Sequence, residues 1–295
     1  MDIYYQVDMM DANLLPKKWR IEKEYCTHGA KVYWTKKPDE NGVMKAVRNQ
    51  AWERKGYKNQ EKFKQSLKLC YFGRCKADIG MAMPHIYKVY EVEPSNTQSM
   101  ALSKGYRYME VLNSPSNIPE ANIPFDRKNV PKLDRLCELV ANDFQDSQVM
   151  VYCFHLNAQA KIKEELEKIG RKPVILNGET TDDERLDIIS KFNNGTYDVI
   201  ITNIKKSLNL HGGDVLICYS LETNPAKLEQ IRGRIDRNTD DRIKTFILLL
   251  YKGTDEYKFF TEVVKQRAKD ARDLTIDAKT AVDFFIEAME GDKGQ

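Results

Sequence analysis

The sequence predicts an α/β fold, a parallel β-sheet flanked by helices on both faces, preceded by an incomplete, helix-rich N-terminal part. Two observations predict it. From about residue 130 onward, short apolar β-rich runs alternate with amphipathic helical stretches, the order that a parallel sheet with crossover helices imposes. The runs are also apolar throughout rather than at every second position, as strands buried on both faces are. The expected strands are 149–154, 174–176, 199–202, 215–219 and 245–250, with helices at 158–169, 181–193 and 225–234 between them.

The first 112 residues read differently. They open on polar and aromatic residues, continue in a long charged helix-like stretch and hold one convincing strand at 86–92, which is less than a complete domain. Residues 113–131 carry Pro115, Pro119, Pro124 and Pro131 among Ser and Asn, which is linker chemistry. The α/β domain is then expected over 132–268, with a helical tail over 269–295 ending in polar residues.

Composition narrows the class without identifying a partner. The chain has 295 residues, of which 41% are hydrophobic, enough for a substantial core. Its net charge of +3 points to no particular ligand. Cys26, Cys70, Cys75, Cys137, Cys153 and Cys218 are scattered, without C-x-x-C pairs or histidines at ligand spacing, so no metal site is expected. Cys153 and Cys218 sit in apolar runs, as buried free thiols do. The N-terminus shows no signal-peptide pattern and no run approaches a membrane span, so a cytoplasmic or other reducing intracellular location is expected.

The most informative stretch is Gln230-Ile231-Arg232-Gly233-Arg234-Ile235-Asp236-Arg237. On a continuous helix, Arg234 and Arg237 would leave from one face and converge on a single anion. Arginine suits a phosphate because its planar fork donates two parallel hydrogen bonds and keeps its charge. By spacing alone, a solvated basic helix end looks the same; the surrounding sequence decides between them.

The stretch resembles motif VI of superfamily 2 helicases, in the Gln-x-x-Gly-Arg-x-x-Arg form of the SNF2-like branch. Other landmarks of that family precede it in order: 148–154 is similar to the motif IV strand; Leu176-Asn177-Gly178, Arg185 and Lys191-Phe192-Asn193 resemble the segment that follows; Val199-Ile200-Ile201-Thr202 through Ser207-Leu208-Asn209-Leu210 resembles motif V; and Asn224-Pro225 leads into motif VI. Upstream, Arg74-Cys75-Lys76-Ala77-Asp78 with Met83-Pro84 resembles the end of an SNF2-like first lobe, and Leu14-Leu15-Pro16 the stretch after its motif III. The resemblance implies a C-terminal RecA-like lobe with the trailing part of lobe one before it. It implies Arg237 and Arg234 as the arginine finger and its neighbour, Gln230, Gly233 and Asn209 at the ATP cleft, and Thr202, Asn177 and Gly178 on the nucleic-acid backbone.

The sequence also departs from the family. It holds no Gly-x-x-x-x-Gly-Lys-Ser/Thr loop, so ATP and Mg²⁺ are expected to be held mainly by a Walker-containing lobe supplied from elsewhere. The acidic pairs Asp39-Glu40, Asp183-Glu184 and Asp255-Glu256 sit in turn or helix-start contexts, where capping or solvated charge is the expected role. In motif V, Ile204-Lys205-Lys206-Ser207 replaces the usual glycine-rich turn, making Lys205 and Lys206 either backbone contacts or simple divergence. Thr223 stands where the family usually has tryptophan.

Residues 45–76 hold ten Lys or Arg against Glu53 and Glu61, with Trp52, Tyr57, Phe63, Tyr71 and Phe72 interleaved. This reads either as a nucleic-acid surface, with Lys55, Lys58 and Lys62 as contacts, or as a solvated basic helix. His211-Gly212-Gly213 reads as a turn and His155 as structural. The expected partner is DNA, from which these residues do not separate RNA, with no membrane. Two functions follow as expectations: the C-terminal part of an ATP-dependent helicase or translocase, inactive by itself, or a non-enzymatic nucleic-acid-binding module.

Overall fold

The computed structural model describes residues 23–38, 44–59, 62, 85–204, 208–236, 242–274 and 279–291. The chain forms two compact units, one of residues 1–75 with 270–278 and one of 76–269 with 279–295.

The first unit departs from the helical expectation. Its described part is an antiparallel hairpin of β1 (Cys26–Pro38) and β2 (Met44–Tyr57), paired from Pro38 with Met44 to Cys26 with Tyr57 and bulged at Thr27/His28. The local sequence explains the difference. Val32-Tyr33-Trp34-Thr35 favours extended backbone, and Asn41-Gly42 between the strands is a strong hairpin signal; both outweigh a charge pattern that resembles a basic helix. Beyond β2, Lys58 N–H donates to the Tyr25 carbonyl at 2.8 Å and Asn59 Nδ2 to that of Glu24 at 3.0 Å.

The second unit holds a six-stranded parallel sheet. Its strands are β3 (Ile86–Val92), β4 (Val149–Tyr152), β5 (Pro173–Leu176), β6 (Val199–Thr202), β7 (Val215–Cys218) and β8 (Thr245–Tyr251), in the spatial order β3-β8-β7-β4-β6-β5. Every pairing is parallel. The expected strands are found, and β4, β6 and β7 are buried at every position. Their side chains alternate between two cores. One face carries Met150, Tyr152, Ile200, Leu216, Cys218, Phe246 and Leu248; the other carries Val149, Val151, Val199, Ile201, Val215, Ile217 and Ile247.

Helices cover both faces. In chain order they are α1 (Asn96–Ser103), α2 (Tyr108–Asn113), α3 (Pro131–Glu138), α4 (Leu156–Lys168), α5 (Asp182–Asn193), α6 (Pro225–Arg232), α7 (Asp255–Lys258), α8 (Lys265–Leu274) and α9 (Ala281–Gly291). Leu133 and Leu136 of α3 with Ile162 and Leu166 of α4 fill one core. Phe192 of α5, Leu228 and Ile231 of α6 and Phe285 of α9 fill the other. Each such side chain contributes about 1.5–3 kcal/mol by leaving water.

The division differs from the one read off the sequence. Strand β3 pairs with β8 along its whole length, from Ile86 with Thr245 to Val92 with Tyr251, so the sheet begins well before residue 132. The proline-rich stretch folds onto this unit: Pro115, Pro119 and Pro131 each occupy the first turn of a helical segment, where the missing N–H is not needed. A fully buried cluster fixes it. Lys132 Nζ lies 2.9 Å from both Glu256 carboxylate oxygens and 3.0 Å from Asn113 Oδ1. The Tyr251 hydroxyl accepts from Gln98 Nε2 at 3.1 Å and from the Lys132 backbone N–H at 3.2 Å. Of the expected tail, α9 returns to the sheet, where Phe284 and Phe285 meet the Tyr87 ring.

Candidate functional site

In a parallel sheet all strands end at one edge, and ligands gather there. Three expected residues reach it. Thr202 closes β6, opposite Tyr152 on one side and Leu176 on the other. It is fully buried; its hydroxyl accepts from Ile204 N–H at 3.0 Å, and its carbonyl from Cys153 N–H at 3.0 Å. Asn177 follows β5 and is also buried. Its Oδ1 accepts from Glu179 N–H at 2.9 Å and its Nδ2 donates to Gln159 Oε1 at 3.3 Å, so the side chain shapes the turn. Gly178 at the tip is exposed, with nothing within 4 Å of where a Cβ would stand. Among the described residues that follow β4 and β5, Phe154 and Gly178 face outward.

Lys205 and Lys206 lie outside the described residues, as does Arg237. Lys55 lies in β2, in the other unit. Lys58 and Lys62 are exposed there, and Lys62 is ion-paired with Glu24, which raises its pKa first through the hydrogen bond.

The arginine stretch forms the expected helix, ending at Arg232 rather than at 234. Asn224 caps α6 by accepting Ala226 N–H at 3.0 Å, and Pro225 takes the first helical position. The helix ends at Arg232, and Gly233 caps it through its N–H to the Glu229 carbonyl at 2.9 Å. Arg234 therefore leaves from a turn, with its N–H on the Ile231 carbonyl at 3.0 Å. Its guanidinium NH1 donates to the Leu208 carbonyl at 3.1 Å, and its carbonyl accepts from Leu210 N–H at 3.0 Å. Asn209, between those two leucines, is exposed, and its carbonyl accepts from Asn193 Nδ2 at 2.9 Å. The structure thus brings Asn209, Gly233 and Arg234 together. Gln230 is exposed on the last turn of α6.

Arg232, Asp236 and His85 hold this turn, and none of the three stood out in the sequence. Arg232 donates to Glu229 at 2.9 Å and to Asp236 at 2.7 Å, and its guanidinium lies 5.9 Å from the centre of the Phe246 ring. His85 Nε2 stands 3.3 Å from the other Asp236 oxygen, while its Nδ1 accepts from Lys244 N–H at 3.2 Å. Asp236 directly precedes Arg237, so the last described residue of the motif is gripped from two sides. Burial pushes the neighbouring Tyr87 phenol up to about 12, with the Arg232 charge opposing it. The Glu229, Arg232 and Asp236 spacing was a readable signal of i,i+3 and i,i+4 pairing.

Just before β7, Gly212 and Gly213 leave no spare room. Gly212 N–H donates to Asn193 Oδ1 at 3.0 Å, and a Cβ on Gly212 would stand 2.8 Å from the Asn193 Cα. A Cβ on Gly213 would stand 2.7 Å from Ile235 Cγ2. The His-Gly-Gly stretch is a turn that demands glycine because two backbone segments meet there.

The acidic pairs have structural roles. Glu184 completes a capping box with Thr181 at the start of α5, and Glu256 pairs with Lys132; Asp39-Glu40 lies outside the described residues. Among the described residues, no three His, Cys, Asp or Glu side chains gather into one cluster. Cys26, Cys137, Cys153 and Cys218 are buried free thiols, and burial pushes Cys153 and Cys218 up to about 12. No helix among the described residues is long and apolar enough to cross a membrane.

Comparison with known proteins matches residues 131–239 to the helicase conserved C-terminal domain. The ATP-dependent DNA helicase mph1 of Neurospora crassa is 27% identical over 146 residues, covering 44% of this chain and 12% of that protein. The ATP-dependent DNA helicase MPH1 of Vanderwaltozyma polyspora is 36% identical over 78 residues, covering 26% of this chain and 7% of that protein. The chain thus spans a small fraction of these relatives' length. Among solved structures, the Sulfolobus solfataricus SWI2/SNF2 ATPase core in complex with dsDNA aligns with TM-score 0.52 at 19% identity, over 79% of this chain and 55% of that one. The Sulfolobus solfataricus SWI2/SNF2 ATPase C-terminal domain aligns with TM-score 0.51 at 18% identity, over 66% of this chain and 95% of that one. Residues 131–239 thus carry a segment like the helicase conserved C-terminal domain, on an α/β fold like that of the Sulfolobus solfataricus SWI2/SNF2 ATPase C-terminal domain.

Proposed function

We propose that this chain works as the C-terminal part of an ATP-dependent DNA helicase or translocase, supplying the arginine side of the ATP site and part of the nucleic-acid track. The observation that carries this reading is the contact between motif V and motif VI. The loop that leaves the strand-end edge at Thr202 runs to Leu208 and Leu210, which bond to the guanidinium and the backbone of Arg234. In this reading the chain segment that follows Thr202 links the strand-end edge to the arginine turn, through the Leu208 and Leu210 contacts with Arg234. Through that link, closure on a nucleotide moves the track.

In this reading Arg237, beside the gripped Asp236, is the arginine finger. Arg234 adds a second positive charge, and Gln230 and Asn209 line the cleft. Such a finger contributes about 10³–10⁵ in rate by stabilising charge on the transferred phosphoryl group. The phosphate cradle and the Mg²⁺ ligands come from a Walker-containing lobe in this reading, which is supported by the use of Glu184 in capping and of Glu256 in a buried ion pair. Mg²⁺ bound there would neutralise phosphate charge opposite these arginines.

The test is DNA-stimulated ATP hydrolysis by the purified 295-residue chain, alone and mixed with a chain bearing a Walker loop and an acidic Mg²⁺ motif. The chain alone should hydrolyse no ATP, and the mixture should do so in a manner abolished by Arg237→Ala. Hydrolysis by the chain alone that disappears in Arg237→Ala would contradict the division of labour. DNA binding without hydrolysis in any mixture would favour a non-enzymatic binding module.

A further inference from the structure

The apolar run of β4 continues two residues beyond the last paired position, to Cys153 and Phe154. Cys153 is still buried, but Phe154 emerges at the strand-end edge with 56% of its surface exposed, followed by Leu156 at 44%. The other exposed large apolar side chains among the described residues, Ile86, Met100, Leu186 and Ile243, are all aliphatic. Among the residues whose side chains are described, Phe154 is the aromatic one.

Its position is fixed from both neighbouring strands. Phe154 N–H donates to Ser220 Oγ at 3.1 Å, beyond β7, and Cys153 N–H donates to the Thr202 carbonyl at the end of β6. The ring meets the His155 ring edge-on, with centroids 5.3 Å apart and planes at 89°. Beside it stand two exposed amides: Asn157 Nδ2 donates to Asn117 Oδ1 at 2.7 Å, and Asn117 Nδ2 lies 3.3 Å from His155 Nδ1. Burial lowers the pKa of His155, which favours its neutral form. Among the described residues, this ledge presents an aromatic ring, an aliphatic side chain and neutral amides. Phosphate is met by cations and N–H donors, whereas base faces are met by rings and base edges by amides.

We propose that Phe154, backed by Leu156, stacks on the base of an unpaired nucleotide, so that this edge of the lobe takes a single strand in preference to uninterrupted duplex. The proposal deepens, and rests on, the reading of the strand-end edge as a nucleic-acid track. A paired base keeps its faces against its neighbours in the duplex; only an unpaired one can turn a face to the ring.

The experiment is fluorescence titration of the full chain with a short single-stranded oligomer carrying 2-aminopurine, and with the duplex of the same sequence, in DNA and RNA versions. Wild type should bind the single strand more tightly, with a change in 2-aminopurine emission. Phe154→Ala should weaken single-strand binding about 5- to 100-fold and duplex binding by less than about twofold, with an unchanged unfolding midpoint. Phe154→Trp should restore single-strand affinity and stacking. The same pattern with either sugar supports the proposal. Single-strand affinity unmoved by Phe154→Ala, or equal losses for single strand and duplex, would overturn it and leave the track reading standing. Wild type that binds neither form would overturn both.

Discussion

At the edge where the strands of the sheet begin, charged side chains are spent on backbone carbonyls. Arg171 reaches those of Val140, Phe144 and Ser147 at 2.7–2.8 Å, Lys244 that of Gly213 at 2.7 Å and Arg242 that of His211 at 2.7 Å. At the edge where the strands end, the arrangement is divided. Beneath β8 it is sealed by the buried Lys132–Glu256 pair, whereas beyond β4 and β5 it exposes Phe154 and Gly178. The lesson is that stabilising interactions and ligand-facing groups are kept apart in this lobe. The beginning edge holds the arginine turn in place, and the ending edge exposes Phe154 and Gly178, where the proposed track would run.

The largest effect should come from the sealed part. Glu256→Gln leaves a fully buried lysine without its counter-charge and should cost about 3–5 kcal/mol in urea unfolding. The double change Lys132→Met with Glu256→Leu should recover only part of that loss, because it removes both buried charges but leaves the Tyr251 N–H and Asn113 without the carboxylate that accepts from them. A double variant as unstable as Glu256→Gln alone would mean that shape rather than charge decides this cluster.

Two glycines sharpen the contrast between edges. Gly212→Ala puts a methyl 2.8 Å from the Asn193 Cα and should cost about 1–3 kcal/mol. Gly178→Ala meets open space and should stay within about 0.5 kcal/mol of the parent. Denaturation of the two variants side by side is the check; equal losses would remove the distinction.

A smaller effect belongs to the helix after Gly178. Thr181→Ala removes the cap of α5 and should cost about 1 kcal/mol. The Thr181 side-chain hydrogen bond, followed by its backbone one, holds the Glu184 carboxyl below the usual glutamate range. A carboxyl lowered in the folded state stabilises it fully above the ordinary glutamate value, and that contribution is lost as pH falls through the lowered value. The Glu184 carboxyl, followed by NMR, should therefore titrate at lower pH in the parent than in Thr181→Ala.

Much of this organisation was legible in the sequence. The strands are short continuous apolar runs, which few other structures tolerate, and their order matches the motif order. Other features were hidden by competing signals. The proline-rich stretch has linker composition, yet Pro115, Pro119 and Pro131 serve as helix starts, and only the pairing of β3 with β8 shows where the sheet begins. In the arginine stretch the three-residue spacing suggested one helix, while Gly233, the residue that ends it, was already in view. His85 on Asp236 could not be read locally, because the two lie at opposite ends of the second unit's sequence. The position of Thr202 was legible, but not that its hydroxyl is taken up by Ile204.

The separation of the two edges is tested most directly by salt-dependent DNA binding to three forms of the chain: the parent, Gly178→Asp and Arg234→Gln. Gly178→Asp puts a negative charge in open space on the proposed track and should weaken binding at least about fivefold, most strongly at low salt. Arg234→Gln changes the arginine turn and should leave DNA affinity within about twofold. Loss of binding in Arg234→Gln with none in Gly178→Asp would contradict the assignment of the strand-end edge to nucleic acid and of the turn to phosphate.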